Sequence, residues 1–231
     1  MKNIEILIDL KNGESVSGVI SEPATHNEKS NVGIVFAHGA ANDMDHPVIV
    51  SVSELLAEAG YITLRFNFLY REKNKKSPDP EHRLVDAWKC AIDYLRQDLS
   101  YNITHIVAVG KSLGGRIASQ ALASGDINPD ALVFFGYPLH APGRKDKLKD
   151  AHLYDIKKPM LFFEGTRDPF CDLEKFQDVF KKLSCRKSLE IIDGGNHSFD
   201  LPMSDEKSPE DVYLQIVNKC KEWIQGIDSQ V

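Results

Sequence analysis

Three polar residues of the chain have the types and the order that nucleophilic catalysis requires. Ser112 lies in a Gly-x-Ser-x-Gly motif at Gly110–Gly114, and Asp168 and His197 each follow a later apolar run. A serine hydroxyl is a poor nucleophile at neutral pH, so it needs a histidine as base and a carboxylate that orients the histidine. The order serine, acid, histidine predicts Ser112 as nucleophile, Asp168 as orienting acid and His197 as base.

Each of these residues has a competing interpretation. A glycine-rich turn between a strand and a helix also binds anions through its backbone N–H groups, without any reaction at the serine. Asp172 is a second candidate for the acid, but Asp168 is preferred because it comes almost directly after an apolar run. His38 is a second candidate for the base, and we expect its ring to brace a loop instead. No histidine follows His197 in the sequence.

Acyl transfer also needs two backbone N–H groups that bind the negative charge developing on the carbonyl oxygen. The residue after the candidate nucleophile, Leu113, is expected to supply one of them. The loop after the apolar run Val32–Ala37 is expected to supply the other, and Ala40 is our choice because Gly39 allows a tight bend before it. We expect four side chains to line the substrate pocket: Tyr137, Leu139, His140 and Phe170.

The elements that must position these residues alternate between apolar runs and amphipathic helices. The chain opens with a predicted hairpin, in which Asn12 and Gly13 form the turn before a second strand at Ser15–Ile20. Helical stripes begin near Glu81 and after the N-cap candidate Ser208. Six later runs predict strands that are buried on both faces: Val32–Ala37, Tyr61–Phe68, His105–Val109, Ala131–Tyr137, Pro159–Glu164 and Ser188–Ile192. This pattern predicts an α/β sheet with helices on both faces and with functional residues at the carboxyl ends of the strands.

Composition and charge restrict the possible partners. The 231 residues carry 34 acidic and 28 basic side chains, for a formal net charge of −6, which argues against a nucleic-acid partner. No apolar stretch is long enough to span a membrane, and the N-terminus lacks the apolar region of a signal peptide. We therefore expect one domain over residues 1–231, in the cytoplasm, as a monomer or homodimer. Because Asp43, Asp45 and His46 lack a fourth ligand at a fitting spacing, we expect no metal, and no cofactor is expected either.

The motifs resemble those of the α/β-hydrolase superfamily, in particular its small capless branch of dienelactone-hydrolase-like and related uncharacterised hydrolases. The resemblance covers about residues 30 to 227 and is carried by His38–Ala40, Gly110–Gly115, Tyr137–His140, Gly165–Asp168 and Asn196–Ser198. It implies a mostly parallel sheet of eight strands and a triad of Ser112, Asp168 and His197. Dienelactone hydrolases proper use a cysteine nucleophile, whereas this chain has serine at that position. The segment 138–158 between two predicted strands is too short for a cap domain, so we expect an open pocket.

These expectations combine into a serine hydrolase that cleaves a small acyl ester or thioester through an acyl-enzyme intermediate. The same triad would also suit an acyltransferase or a small-peptide hydrolase, and a hydrolase-fold binding or scaffold protein with little catalysis is the alternative from another class. Two loops after predicted strands, residues 71–83 and 144–150, have an excess of basic side chains. Such loops either steer an anionic substrate or are simply solvated.

Overall fold

The computed structural model describes residues 1–24 and 31–228 and is built around an eight-stranded sheet. The strands are β1 (Lys2–Asp9), β2 (Ser15–Glu22), β3 (Val32–Ala37), β4 (Ile62–Phe66), β5 (His105–Lys111), β6 (Ala131–Phe135), β7 (Met160–Gly165) and β8 (Lys187–Ile192). The helices are α1 (Pro47–Glu58), α2 (Leu69–Glu72), α3 (Glu81–Gln97), α4 (Leu113–Ser124), α5 (Leu173–Lys182) and α6 (Pro209–Asp228), with a 3-10 helix at Ala151–Asp155. The predicted hairpin and the six later strands are confirmed.

The order of the strands across the sheet is β1-β2-β4-β3-β5-β6-β7-β8. Strand β2 is antiparallel to both of its neighbours, β1 and β4, whereas every strand pair from β4 across to β8 is parallel. Strand β3 has β4 on one side and β5 on the other, so the connections that leave β3 and β5 run towards opposite ends of the strand order. The loops after β3 and β5 therefore meet at the same edge, which is where α/β sheets form their binding crevices.

Helices cover both faces of the sheet, as the strand composition predicts. On one face, α3, α4 and α5 bury Trp88, Ile117 and Phe176 against the sheet. On the other face, α1 and α6 bury Val52 and Ile216. Because both faces are covered, β3 to β7 consist almost entirely of buried residues, and only the ends of these strands can present side chains to a ligand.

Two local features fix the ends of helices near the sheet. At the start of α6 the Ser208 hydroxyl accepts the Asp211 N–H at 3.2 Å, and the Asp211 carboxylate accepts the Ser208 N–H at 2.8 Å, which confirms the predicted N-cap. The Trp88 indole N–H donates to the Gly114 carbonyl at 3.1 Å and ties α3 to the first turn of α4. The start of α4, which follows the candidate nucleophile, is thus held by a buried side chain.

Among residues 1–24 and 31–228, no separate cap domain covers the carboxyl edge of the sheet. The segment 136–159 between β6 and β7 contains the 3-10 helix and otherwise irregular chain. Within the part of the chain that the structure describes, no helix has the length and hydropathy needed to cross a membrane.

Candidate active site

The turn between β5 and α4 holds Ser112 in an uncommon backbone conformation. Its φ of 51° and ψ of −112° lie outside the usual regions for a residue with a side chain. The Ser112 N–H donates to the Phe135 carbonyl at 3.1 Å, and the residue stays partly exposed. A Cβ on Gly110 would lie 2.1 Å from the backbone nitrogen of Gly115, so strand and helix approach this closely only because Gly110 has no side chain.

The structure brings Ser112, His197 and Asp168 together in one chain of hydrogen bonds. The His197 Nε2 lies 2.8 Å from the Ser112 Oγ, and its Nδ1 lies 2.6 Å from the Asp168 Oδ2. A carboxylate can only accept here, so Nδ1 carries the proton and Nε2 is free to accept one from the serine hydroxyl. The Asp168 side chain is fully buried and His197 is 19% exposed, so the acid is shielded while the ring edge reaches solvent.

The second candidate for the acid lies elsewhere. Asp172 caps α5 by accepting the Lys175 N–H at 3.2 Å and pairs with the Lys145 ammonium at 2.6 Å. The other carboxylate oxygen of Asp168, Oδ1, accepts the Phe170 N–H at 2.7 Å. This bond fixes the rotation of the Asp168 carboxylate, so that Oδ2 faces the imidazole.

The loop that carries His197 packs against the end of β6. Gly136 has a φ of +67°, and a Cβ there would lie 3.2 Å from the His197 Nδ1 and 3.4 Å from the Asp168 Oδ2. The half-buried Phe170 ring lies on the imidazole with 4.3 Å between ring centroids. The Lys111 ammonium donates to the His197 carbonyl at 2.9 Å. Ring, backbone and ammonium together restrict the position of the imidazole.

The loop after β3 lies against Ser112 and is braced by His38, as expected. The fully buried His38 ring donates through Nδ1 to the Gly39 carbonyl at 2.7 Å, and its Nε2 accepts the Phe68 N–H at 3.0 Å. Burial lowers the pKa of His38 to about 4, so the ring is neutral at neutral pH and can accept at Nε2. The Tyr70 hydroxyl lies within hydrogen-bond distance of the Gly39 and Ala40 carbonyls.

This bracing places the loop next to the serine. A Cβ on Gly39 would lie 3.4 Å from the Ser112 Cβ, so the backbone that leads into Ala40 borders the reacting hydroxyl. Leu113 is the first residue of α4, where backbone N–H groups have no partner within the helix. Leu113 therefore adjoins Ser112 along the chain, and Gly39, the residue before Ala40, lies beside Ser112 in the fold.

The four expected pocket residues have different surroundings. Tyr137 and Leu139 are fully buried, and the Tyr137 hydroxyl donates to the Lys149 carbonyl at 2.7 Å, because the segment after β6 turns both side chains into the core. The His140 ring is 1% exposed and both its nitrogens bond to backbone groups. Phe170 alone of these four lies beside His197.

Fewer than half of the basic side chains of the two rim loops are paired with carboxylates. Of the nine lysines and arginines in residues 71–83 and 144–150, four form ion pairs: Arg71 with Asp43, Lys73 with Glu14, Arg144 with Asp146 and Lys145 with Asp172. An ion pair cancels most of the field that either charge produces at a distance. The excess positive charge seen in the sequence is therefore offset in part at this edge of the sheet.

Two charged residues beneath the site were not singled out by the sequence patterns. Lys111 is 3% exposed at the end of β5, and Glu164 is fully buried in β7, where it accepts the Tyr137 N–H at 2.7 Å. Burial raises the pKa of Glu164 well above its usual range, with the nearby Asp168 charge as a second cause. A lone charged residue within an apolar strand was the available signal for both. Among the residues that the structure describes, no group of three His, Cys, Asp or Glu is arranged to hold a metal ion.

Most of the chain matches one protein family. Residues 30–225 match the family model described as alpha/beta hydrolase domain. The chain therefore belongs to the α/β-hydrolase family, and the resemblance deduced from its motifs is confirmed.

Solved structures of similar fold include lidless and dienelactone-type members. A dienelactone hydrolase from Anabaena variabilis is 21% identical with a TM-score of 0.75, and the match covers 97% of each chain. A Xanthomonas campestris α/β serine hydrolase described as having no lid is 18% identical with a TM-score of 0.74, over 96% of this chain and 95% of that one. Est1E from Butyrivibrio proteoclasticus, solved with ferulic acid bound, is 19% identical with a TM-score of 0.75, over 95% of this chain and 99% of that one. At these identities the likeness concerns the fold.

Proposed function

We propose that the protein is a serine hydrolase that cleaves small acyl esters or thioesters. The observation that carries the proposal is the hydrogen-bonded chain from the Ser112 Oγ through both His197 nitrogens to Asp168, at 2.8 and 2.6 Å. A general base within reach of a hydroxyl, itself oriented by a buried carboxylate, is the arrangement that activates serine for attack on a carbonyl.

The mechanism follows from the hydrogen positions. As the Ser112 Oγ attacks the acyl carbon, its proton passes to the His197 Nε2, and Asp168 stabilises the imidazolium through Nδ1–H. The Ala40 and Leu113 N–H groups bind the oxyanion. His197 then protonates the leaving alcohol or thiol, which departs and leaves an acyl-serine. A water molecule then gives a proton to the His197 Nε2 and adds its hydroxide to the acyl carbon. His197 returns this proton to the Ser112 Oγ as the bond between Oγ and the acyl carbon breaks, which releases the acid and restores the serine hydroxyl.

The substrate class is set by the open edge and by Phe170. With no cap to enclose a long acyl chain, small or extended acyl groups are favoured. The exposed part of the Phe170 ring beside His197 offers an apolar or aromatic contact. Ferulic acid, which is bound in the structure of Est1E from Butyrivibrio proteoclasticus, has an aromatic ring that could make such a contact. Hydroxycinnamoyl esters therefore belong in a substrate screen beside acetyl and butyryl esters and thioesters. Because ion pairs with carboxylates offset part of the positive charge of the rim loops, we propose a neutral acyl group rather than an anionic one.

An acyltransferase or small-peptide hydrolase with the same triad differs in the acceptor or leaving group. Product analysis by mass spectrometry in the presence of added alcohols, thiols and amines distinguishes transfer from hydrolysis. The binding-protein alternative predicts no covalent acyl-enzyme at all.

The first test is covalent labelling with a fluorophosphonate, which reacts only with an activated serine. The wild-type protein should be labelled at Ser112, as mapped by mass spectrometry, and Ser112→Ala should not be labelled. Ser124→Ala, on the same helix, is the matched control and should be labelled as the wild type is. A folded wild-type protein that resists the probe and leaves p-nitrophenyl acetate uncleaved would contradict the proposal.

A further inference from the structure

The ammonium of Lys111 links the two segments that carry the reacting side chains. Lys111 is the last residue of β5, directly before Ser112, and its side chain is buried beneath the site rather than exposed at the rim. Its Nζ donates to the His197 carbonyl at 2.9 Å, across 86 residues of chain. The bond therefore joins the serine turn to the histidine loop independently of the bond between Ser112 and His197.

The surroundings of this ammonium are mostly anionic. The charged or titratable groups near it are the Asp168 carboxylate, the Glu164 carboxyl group of β7, Asp200 of the loop after His197, and His46 at the start of α1. Burial lowers the pKa of Lys111 to about 8, and the Asp168, Asp200 and Glu164 charges oppose this shift. Below that pH Lys111 adds a positive charge next to the imidazole and its acid partner.

A buried lysine is a costly way to fill space at the end of a strand. An ammonium removed from water loses solvation that neighbouring charges restore only in part, and an apolar side chain of the same length would pack β5 without that loss. The same ammonium has one effect that an apolar side chain lacks. It fixes the His197 backbone through a charge-assisted hydrogen bond.

We propose that Lys111 is a positioning residue of the hydrolytic site, which holds the histidine loop at its reactive distance from Ser112. This inference rests on the proposed function, since it assigns Lys111 a part in the same reaction. The residue touches neither the substrate nor the reacting atoms, and it acts through the main chain of His197. Its effect should therefore fall on kcat, with KM nearly constant.

The test compares Lys111→Met, which keeps the length of the side chain but has neither charge nor donor, with Lys111→Arg, which keeps both. In Lys111→Met, kcat for p-nitrophenyl acetate should fall about 10- to 100-fold with KM within about twofold, the loss expected for one charge-assisted hydrogen bond. Lys111→Arg, which keeps the charge and the donor, should retain more of the wild-type kcat than Lys111→Met does.

The matched control is Lys181→Met, which removes an exposed lysine at the far end of α5 and should leave kcat unchanged. Thermal melting of each variant separates loss of fold from loss of rate. If the wild type is labelled and active while Lys111→Met keeps its kcat within threefold, the inference is wrong and the proposed function stands. If the wild type itself neither takes the probe nor turns over, the proposed function fails first.

Discussion

Replacing Asp168 by asparagine tests whether the position of the proton on the His197 ring controls the proposed reaction. The Phe170 N–H donates to the Asp168 Oδ1 at 2.7 Å, and this donor would hold the carbonyl oxygen of an asparagine in the same place. The amide NH2 group would then face the His197 Nδ1, which accepts from it instead of donating. The proton of the neutral ring moves to Nε2, and Nε2 can no longer accept the proton of the Ser112 hydroxyl.

The expected fall in kcat follows from the interactions that His197 loses in this tautomer. The ring loses both its charge-assisted bond of 2.6 Å to a fully buried carboxylate and the free lone pair that makes it a base. In Ser-His-Asp enzymes, the corresponding change lowers kcat by about 10⁴. We expect kcat to fall by about 10³ to 10⁴, which is about 4 to 5.5 kcal/mol of transition-state stabilisation at 1.36 kcal/mol per decade.

The assay is steady-state hydrolysis of p-nitrophenyl acetate at pH 7 to 8, with thermal melting to show that the variant folds. Asp172→Asn is the matched control, because Asp172 was the competing acid in the sequence and pairs with Lys145 rather than with His197. It should retain activity within about threefold. An Asp168→Asn protein that folds and hydrolyses the ester at near wild-type rates would refute the assignment of the acid and of the tautomer.

Three further predictions use other parts of the site. Gly136→Ala places a Cβ 3.2 Å from the His197 Nδ1 and should lower kcat/KM about 10- to 100-fold. The control is Gly143→Ala, because Gly143 has a similar φ of +72° but no atom within 4 Å of the added Cβ. This variant should lower the stability of the protein and leave kcat/KM unchanged. Burial lowers the pKa of His38 to about 4 in the folded protein, whereas the pKa of this histidine in the unfolded chain is the ordinary 6.5. Between these values the unfolded chain binds a proton that the folded protein does not. The free energy of unfolding should therefore be highest above about pH 6.5 and should fall by about 3 kcal/mol towards pH 4. Urea titrations at pH 7 and 4.5 measure this loss, and His38→Gln should reduce its steepness. Finally, rates on a neutral and an anionic ester should respond alike to added salt, and a selective slowing of the anionic ester would restore electrostatic steering by the rim loops.

Much of this architecture could be predicted because strand ends are visible in the sequence. The apolar runs ended within two residues of the strand ends, so Ser112, Asp168 and His197 could be assigned to one edge of the sheet before their side chains were located. The order of the chain then restricted their roles. Ser112 required no long-range information, since its turn is formed by the glycines on either side of it.

The pocket walls could not be predicted in the same way. Tyr137 and Leu139 follow β6, and the alternation of sides along a strand gives no direction for residues beyond its end. Their burial depends on contacts such as the bond from the Tyr137 hydroxyl to the Lys149 carbonyl, between residues of an irregular segment. The ion pairs of the rim loops could not be predicted either, because the net charge of a loop does not show which carboxylates of other segments pack against it. The pair Arg71 and Asp43 joins segments that only the folded sheet brings together.

The backbone conformation of Ser112 lowers the stability of the folded protein. A non-glycine residue at φ 51° and ψ −112° is strained by about 1 to 3 kcal/mol, a sizeable share of the stability of an ordinary domain. Glycine at position 112 would adopt these angles without strain, so a Ser112→Gly protein should melt higher than Ser112→Ala although both lack the hydroxyl. A protein that used this fold only as a scaffold would gain from that exchange. The strain at Ser112 is the cost that the proposed use of its hydroxyl would offset.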